Sequence, residues 1–398
     1  MQEISVLMVG IGGFAEVYLK ELLHNPRWKQ LQIVGAVDPY AERSRFSREL
    51  SERNVPIYQT VEEFYGKQKA ELAIIVTPIY LHARQAQYCM AHGSHVFCEK
   101  PLCATWKDAG DMIAARDRTD RKLAVGFQWS FSEGILKLKQ DIGKGLYGKI
   151  HRIRTIVYFP RNLDYYHRGS GWAGRRRLDT GEWILDSVAS NAAAHYLHNM
   201  LFLTGKQEDR SAEPESMEAE VYRANPIEMF DTCALRIRVP SGTELLFYAT
   251  HAVPKEQERP PEIIIEGEKG EITLQYEEGR EKLIGHLADG RKINYERPGA
   301  DGMRKLACME DAIRGNAPLP CVPETTLPHL KCICALAESF PETPAFPEEY
   351  IRYSEENRQY TCTDLGTTLD ICWREGKLPW EMGITWAQKP HGISFSWE

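Results

Sequence analysis

Long apolar runs, basic blocks and paired cysteines are all missing from this chain of 398 residues. No apolar run approaches the roughly 20 residues needed to cross a bilayer, so we expect no membrane-spanning segment. Acidic and basic residues are mixed along the chain, the net charge is −7, and the arginine run at 175–177 is short. This distribution argues against nucleic acid as a partner.

The 10 cysteines are scattered, and no two of them form a CxxC pair. Disulfide frameworks and zinc sites both need regular cysteine spacings, so the pattern predicts reduced thiols in a cytoplasmic protein without a bound metal. The chain opens on an apolar run with no charged lead-in. We interpret that run as a first strand and not as a leader peptide.

Length and composition predict more than one domain. A chain with 43% hydrophobic and 26% charged residues is of ordinary globular type, and at this length it suits two domains better than one. We expect a first domain over 1–126, a second over 127–340, and a C-terminal extension over 341–398 that packs on the core or on a neighbouring subunit. The aromatic residues expected to provide that packing are Trp380, Trp386 and Trp397.

The first domain is predicted to contain a parallel sheet covered by helices. Alternation of strands with helices favours the doubly wound α/β class. In such sheets ligands bind beyond the carboxyl ends of the strands. The predicted strands lie near 4–9, 32–37, 71–76, 94–98 and 122–126, with helices near 82–92 and 105–118.

The first forty residues carry the most informative motif. An apolar run leads into the sequence GIGGFA at 10–15, a helical pattern follows, and a second apolar run ends on Asp38. In this order the elements predict a dinucleotide site: Gly10 permits a tight turn, Gly12 lets the backbone approach a pyrophosphate, and Ala15 lets the helix pack on the strand. The helix N-terminus attracts phosphates, and Asp38 can accept hydrogen bonds from ribose hydroxyls. A purely structural glycine turn is the alternative.

The second domain is predicted to contain a largely antiparallel sheet. Between 217 and 295 the apolar period is two, which is typical of antiparallel strands. Ser130 and Glu133 suggest a capping box for a helix near 131–143. The other elements that the pattern predicts are a strand near 149–159, a loop over 160–183, and helices near 184–204, 302–314, 325–338 and 364–375.

Three polar side chains could carry chemistry. Lys100 closes the fourth predicted strand, where an ammonium group beside a nicotinamide could hold a substrate hydroxyl and help to move its proton; a surface lysine in a turn is the alternative. Asn191 and His195 lie four residues apart on the predicted helix near 184–204, so they share one face. Imidazole is the usual proton acceptor near neutral pH, although a buried core histidine fits the same pattern.

The loop over 158–183 is rich in aromatic and basic side chains. Aromatic faces suit the C–H surfaces of a sugar ring, polar groups suit its hydroxyls, and a basic cluster could meet an anionic substituent. An oligomer interface is the alternative, because the same residue types are enriched there. The candidate substrate contacts are Tyr158, Tyr166, Arg168, Trp172 and Arg175, with Asn191 and His195 from the helix.

In combination and in this order, the motifs resemble those of the Gfo/Idh/MocA oxidoreductases, the group that includes glucose–fructose oxidoreductase and inositol dehydrogenase. The resemblance covers roughly residues 1–340. The matching pieces are the glycine turn at 10–15, Asp38, Thr77-Pro78 with His82, Glu99-Lys100-Pro101, Val125-Gly126-Phe127-Gln128, and the spacing of Asn191 and His195.

The resemblance implies a Rossmann domain followed by an α/β domain whose open-faced sheet supports a homo-oligomer, either a dimer or a tetramer. It implies NAD or NADP as cofactor and a sugar, glycoside or polyol as substrate. Asp38 favours NAD, because its charge would repel a 2′-phosphate, while Arg43 and Arg45 keep NADP as an alternative. The implied cofactor contacts are Gly10, Gly12, Gly13, Phe14, Ala15, Asp38, Thr77, Pro78, His82, Glu99, Lys100 and Gln128.

The resemblance also implies a catalytic lysine at Lys100, and an acidic residue and a histidine at positions 191 and 195. The sequence departs from that pattern, because Asn191 replaces the usual aspartate and cannot take a proton. His195 and Lys100 are therefore the candidate bases. Asp186 precedes Asn191 by five residues, which would point it to another side of an ideal helix, so it ranks lower as a displaced carboxylate.

Three functions are compatible with these residues. The first is an NAD-dependent oxidoreductase that moves a hydride between a ring carbon of a sugar, glycoside or polyol and nicotinamide. The second is a glycoside hydrolase that oxidises a sugar ring carbon, eliminates the aglycone, adds water and re-reduces the ketone. NAD is recycled within this sequence. The third is a non-catalytic sugar or nucleotide sensor, which Asn191 favours and the presence of Lys100 and His195 opposes.

Overall fold

The computed structural model describes residues 3–169, 171–277 and 280–395 and divides the chain into two units. The first unit contains Met1–Gly126 and Lys305–Pro323, and the second contains Phe127–Arg304 and Glu324–Glu398. The sequence pattern predicts residues 305–323 in the second domain, whereas the structure has them in the first unit. Trp397, which we expected to pack, lies outside the described residues.

The first unit contains a six-stranded parallel sheet, as the alternation of strands and helices predicts. Its strands are β1 (Ile4–Val9), β2 (Leu31–Val37), β3 (Ile57–Tyr58), β4 (Leu72–Ile75), β5 (His95–Cys98) and β6 (Leu123–Val125). They lie in the order β3-β2-β1-β4-β5-β6. The chain winds outward from β1 in both directions, so the strand order reverses between β1 and β4, where such sheets bind ligands.

The first helices of this unit are α1 (Ala15–His24), α2 (Ser47–Glu52), α3 (Val61–Tyr65), α4 (Ile79–Ala91) and α5 (Trp106–Thr119). Two helices of this unit, α3 and α5, begin on ordinary capping signals. Thr60 and Thr105 each accept a hydrogen bond from a backbone N–H in the first turn, at 3.2 and 3.1 Å, as N-cap threonines do.

The second unit is built on a nine-stranded, mostly antiparallel sheet in the order β14-β13-β12-β11-β7-β10-β9-β8-β17, of which only the β7–β10 pair is parallel among the described ladders. The strands are β7 (Ile150–Tyr158), β8 (Ser216–Tyr222), β9 (Thr232–Arg238), β10 (Glu244–Thr250), β11 (Arg259–Gly267), β12 (Gly270–Glu277), β13 (Arg280–Leu287), β14 (Lys292–Tyr295) and β17 (His391–Ser394), with a separate hairpin of β15 (Ile351–Ser354) and β16 (Gln359–Cys362). The remaining helices are α6 (Glu133–Gly143), α7 (Leu163–Tyr166), α8 (Ala194–Leu203), α10 (Pro323–Ser339) and α11 (Leu365–Glu375), while α9 (Arg304–Ile313) belongs to the first unit from Lys305 onward.

The C-terminal extension covers one face of this sheet, while the other face packs on α6 and α8. Ile156 and Tyr248 of the sheet share a buried cluster with Leu369 of α11. Arg154 donates from Nη1 to the carbonyl oxygens of Trp373 and Arg374, at 2.8 and 2.6 Å, and so satisfies orphan acceptors at the end of α11. The homo-oligomer that the resemblance implies stays a prediction.

The capping box expected for the first helix of the second unit is wrong. α6 begins after Ser132, whose side chain makes no capping hydrogen bond. Ser130 lies one turn earlier, and its hydroxyl pairs with Nε2 of buried His198 at 2.9 Å. A buried imidazole needs a polar partner, and this requirement outweighs the local capping pattern. In the described part of the chain, no helix has both the length and the apolar character needed to cross a bilayer.

Candidate functional site

In the first unit, the predicted cofactor residues meet at one edge of the parallel sheet. β2, β1, β4 and β5 are neighbours, so their carboxyl ends share that edge. The glycine turn at 10–15 follows β1, Asp38 follows β2, Thr77 lies just beyond β4, and Lys100 lies just beyond β5. The topology therefore gathers residues that are up to 90 positions apart in the sequence into one row.

The glycine turn has the shape that a diphosphate requires. Gly10 has φ +88°, and a Cβ added there would lie 2.7 Å from the carbonyl oxygen of Val76, so the turn admits no side chain at that position. A Cβ added at Gly12 would meet no heavy atom within 4 Å, so this side of the turn is open. α1 begins after Phe14 without a side-chain cap, and its first N–H groups are suited to phosphate oxygens. The turn thus fits the dinucleotide that the sequence predicts.

Asp38 is held in place by the backbone around the glycine turn. Its Oδ2 accepts the N–H of Ile11 at 3.0 Å, and its Oδ1 accepts the N–H of Tyr40 at 2.9 Å. Each carboxylate oxygen keeps a second lone pair for a ribose hydroxyl. Arg43 stacks on Tyr40, 4.4 Å from the ring centroid, while Arg45 pairs with Glu16 at 2.8 Å.

Glu99 is enclosed by protein groups in the first unit. Lys305 of α9 places Nζ 2.6 Å from Oε1 of Glu99, Tyr18 donates its hydroxyl to the same oxygen, and the backbone N–H of Lys100 donates to Oε2 at 2.9 Å. Burial by itself raises the pKa of Glu99, but the Lys305 ammonium and the hydrogen bonds hold this pKa below its ordinary value. The carboxylate therefore fixes the backbone of Lys100.

His82 connects two of the turns at the sheet edge. Its Nδ1 lies 2.9 Å from the carbonyl oxygen of Pro101, and its Nε2 lies 2.8 Å from that of Thr77. Burial lowers the pKa of His82, and the two carbonyl contacts oppose that shift. Both ring nitrogens are engaged, so the structure gives His82 the role of holding these turns together.

In the second unit, the apolar helix expected near 184–204 begins later than the pattern indicates. Val188–Ala192 form a π-helix, and α8 follows. Ser187 and Ser190 make a reciprocal capping box, with N–H to hydroxyl distances of 3.1 and 2.7 Å. Leu185 has φ +53°, a left-handed conformation that is rare for such a side chain. Strained residues and π-helical turns are both frequent at functional sites.

Asp186 and Asn191 are in contact, and the expectation that a spacing of five would point Asp186 to another side of the helix is wrong. Nδ2 of Asn191 donates to Oδ1 of Asp186 at 2.9 Å, and Oδ2 of Asp186 accepts the N–H of Gly174 at 2.7 Å. Asp186 is 3% exposed. Asp186 precedes the N-cap Ser187 and so lies outside the helix, whereas the predicted orientation requires both residues to lie in one ideal α-helix. The serine pair at 187 and 190 was the sequence signal for a later helix start.

We expect Asp186→Ala to lower the free energy of unfolding by about 1–3 kcal/mol, because it leaves the buried Gly174 N–H and the Asn191 amide without their acceptor. Urea denaturation of the single variants and of the double variant with Asn191→Ala measures the coupling between the two side chains. Asp164→Ala is the matched control, since that carboxylate is 63% exposed. If the losses of unfolding free energy in the two single variants add up to the loss in the double variant, the hydrogen bond between Asp186 and Asn191 is contradicted.

The two histidines of α8 differ in environment. His198 is fully buried and stacks on Phe127 with ring centroids 4.1 Å apart; burial lowers its pKa well below the ordinary value, with smaller effects from His329 and Lys139. It is a neutral core histidine. His195 is half-buried and meets the Phe127 ring edge-on at 5.7 Å, so it is the histidine of this helix that remains a candidate for chemistry.

The structure scatters some of the predicted substrate contacts. The hydroxyl of Tyr158 donates to Asp370 and to the carbonyl oxygen of Gly366, at 2.7 and 2.9 Å, on the sheet face that α11 covers. Arg175 forms ion pairs with Asp179 and Glu228. Tyr166 is buried against Gly174. Arg168 and Trp172 remain together, with the Arg168 guanidinium carbon 5.3 Å from the Trp172 ring centroid.

Comparison with known proteins identifies the family of both units. A model of an oxidoreductase family with an NAD-binding Rossmann fold matches residues 4–127. A model of the GFO/IDH/MocA C-terminal domain matches residues 135–273. The two matches together cover more than half of the chain.

Individual relatives are distant. The chain is 26% identical over 193 residues to a 1-carboxy-3-chloro-3,4-dihydroxycyclohexa-1,5-diene dehydrogenase from Comamonas testosteroni, covering 48% of this chain and 46% of that protein. It is 28% identical over 119 residues to a 2,7-anhydro-N-acetylneuraminate hydratase from Mediterraneibacter gnavus, covering 30% and 31%. The matches thus span less than half the length of either relative.

Solved structures share the fold. The WlbA dehydrogenase from Chromobactrium violaceum, in complex with NADH and UDP-GlcNAcA, superposes with a TM-score of 0.68 at 21% identity, over 85% of this chain and 94% of that chain. At this identity the likeness shows the fold alone.

Proposed function

Because this chain belongs to the Gfo/Idh/MocA oxidoreductase family and has its NAD-binding Rossmann domain, we propose that it transfers a hydride between NAD and a hydroxyl-bearing ring carbon of a sugar, glycoside or polyol. The observation that carries the proposal is the position of Lys100, on the same sheet edge as the glycine turn and Asp38. An amine at this edge can hold the hydroxyl that is oxidised.

Lys100, His195 and Asn191 have separate roles in the proposed reaction. NAD, when bound, supplies the hydride acceptor. Lys100 donates a hydrogen bond to the substrate oxygen, and His195 takes the hydroxyl proton. The Asn191 side chain, oriented by Asp186, positions the ring through hydrogen bonds and takes no proton itself.

The names of the relatives support this class of reaction. The Comamonas testosteroni relative is named as a dehydrogenase of a dihydroxylated ring, and the WlbA dehydrogenase was crystallised with a nucleotide sugar. The Mediterraneibacter gnavus relative is named as a hydratase, which favours redox-neutral glycoside cleavage as the second candidate function.

Dinucleotide binding is the first test. We expect NAD to bind more tightly than NADP by about tenfold, the equivalent of about 1.4 kcal/mol, because the Asp38 carboxylate repels a 2′-phosphate. Asp38→Asn should narrow that ratio, and quenching of tryptophan fluorescence measures both affinities. Asp117→Asn, at a carboxylate 61% exposed, is the control and should leave the ratio unchanged. Failure to bind either dinucleotide would overturn the proposal.

Product analysis separates the two candidate reactions. Purified protein is incubated with NAD and a panel of sugars, glycosides and polyols, and both the absorbance of reduced nicotinamide and the product masses are followed. Accumulation of NADH with a product two mass units lighter identifies net oxidation. Release of an aglycone without accumulation of NADH identifies redox-neutral cleavage.

A further inference from the structure

Two arginines of the second unit share one tyrosine ring. The guanidinium carbon of Arg168 lies 3.7 Å from the centroid of Tyr165, and that of Arg161 lies 4.9 Å from it. In the described ranges neither guanidinium forms an ion pair with a carboxylate. Two acidic residues of the loop pair with other arginines: Asp164 with Arg358, and Asp179 with Arg175.

The hydrogen-bonding capacity of the two guanidinium groups is only partly used. Nη1 of Arg161 donates to the carbonyl oxygen of Pro160 at 3.1 Å, whereas its buried Nε has no acceptor among the described residues. A buried donor without an acceptor is costly and calls for a partner. Arg168 is exposed, so a ligand can reach the pair from its side.

Two titratable groups beside the arginines are neutral, and the Asp186 carboxylate, which acts on the same Tyr165 phenol, is a single negative charge against two positive ones. His251 is buried, and its ring centroid lies 5.8 Å from that of Tyr165. Burial lowers the pKa of His251 to about 3, and the charges of Arg161 and Arg168 contribute to that shift, so this imidazole is neutral at pH 7. Burial also raises the pKa of Tyr165, which keeps the shared phenol neutral.

The arginine pair adjoins the residues to which the proposed function assigns substrate. The Asp186 carboxylate contributes to the raised pKa of Tyr165, and it is the same carboxylate that holds Asn191. The guanidinium carbon of Arg161 also lies 5.6 Å from the ring centroid of Phe159. That centroid lies 6.0 Å from the ring centroid of Tyr196, which follows His195 in the sequence. These contacts all lie within the second unit.

We propose that Arg161 and Arg168 bind an anionic group of the substrate, a carboxylate or a phosphate, so that the enzyme acts on acidic carbohydrates. This inference rests on the proposed function and names its substrate class. A guanidinium presents a planar fork of donors that matches both anions. Stacking on Tyr165 fixes the two forks and limits the rotamer freedom that binding would otherwise remove.

Matched acidic and neutral sugars test the proposal. Glucuronate, glucose 6-phosphate and glucose are compared by kcat/KM with NAD, and by calorimetric binding to the NADH-loaded protein. We expect the wild type to favour one of the acidic sugars over glucose by about 10- to 100-fold, the range of charge-assisted hydrogen bonds. Preference for glucuronate indicates a carboxylate as the bound anion, and preference for glucose 6-phosphate indicates a phosphate.

Variants assign that preference to the arginines. Arg168→Gln, at an exposed position, should lower the acidic-to-neutral ratio by about tenfold or more, and Arg168→Lys should restore part of it. Arg27→Gln is the control, since Arg27 also stacks on an aromatic ring, 4.6 Å from the centroid of Trp28, and should leave the ratio unchanged.

The outcomes separate this inference from the proposed function. Three results would each overturn the inference while hydride transfer to NAD stands. Glucose is turned over as efficiently as both acidic sugars, neither acidic sugar binds at millimolar concentration, or the acidic-to-neutral ratio of kcat/KM is unchanged in Arg168→Gln. A protein that binds neither NAD nor NADP overturns the proposed function itself.

Discussion

Replacing Lys100 with methionine is expected to lower the turnover of hydride transfer by about 10²- to 10⁴-fold, the usual contribution of a positioned proton-transfer group. The fold should persist, because methionine retains the backbone N–H that donates to Glu99, and the lost ammonium acts on that carboxylate less than Lys305 and Tyr18 do. Steady-state kinetics and thermal unfolding measure the two effects separately. The loss is expected mainly in kcat, since the side chain acts on the reacting hydroxyl.

Two companion variants sharpen this prediction. His195→Gln should cause a loss of similar size, and the double variant should be little worse than either single variant, because residues that serve one proton transfer are not additive. Lys107→Met removes an exposed lysine that pairs with Asp111 and should leave turnover unchanged. Full turnover in Lys100→Met would remove Lys100 from the mechanism.

Replacing Lys305 with methionine is expected to lower the free energy of unfolding by about 3–5 kcal/mol, the cost of leaving a buried charge without its partner. The side chains of Lys305 and Glu99 are 1% and 6% exposed, and Tyr18 cannot replace the missing cation. Chemical denaturation measures the loss. Lys107→Met again serves as the control, since an exposed pair contributes at most about 1 kcal/mol.

A neutral double variant and the pH dependence test the origin of that loss. Glu99→Gln combined with Lys305→Met removes both charges and should recover much of the stability. The lowered pKa of Glu99 means that the ion pair contributes fully at neutral pH, and that this contribution is lost as the pH falls through the lowered value. The gap between wild type and Lys305→Met should therefore shrink in acid. A gap that is constant with pH would assign the loss to packing.

Local pattern was enough to predict the architecture of the first unit. The glycine turn, the helix after it and Asp38 are adjacent in sequence, and the parallel topology follows from the alternation of strands and helices. The sheet class of both units and the NAD-binding Rossmann domain are confirmed. The roles of the individual site residues stay predictions.

The differences arise where long-range packing outweighs local pattern. Tyr158 ends β7, where strand alternation places it on the same face as Arg154 and Ile156, and that face is covered by α11. Lys305 shares the buried face of α9 with Met309 and Ala312. A charged residue at that helical spacing was a signal for a buried ion pair, but its partner is 206 positions away and no local pattern could name it.

That separation also sets an order of events during synthesis. Glu99 leaves the ribosome 206 residues before Lys305, an interval of about 10 to 40 s at ordinary rates of translation. Once β6 (Leu123–Val125) has followed, the strands of the first unit are complete, but the Glu99 carboxylate still has no Lys305 ammonium to pair with. The nascent Rossmann domain therefore lacks this buried ion pair until residue 305 has been synthesised. Chaperones have that interval in which to bind the incomplete domain.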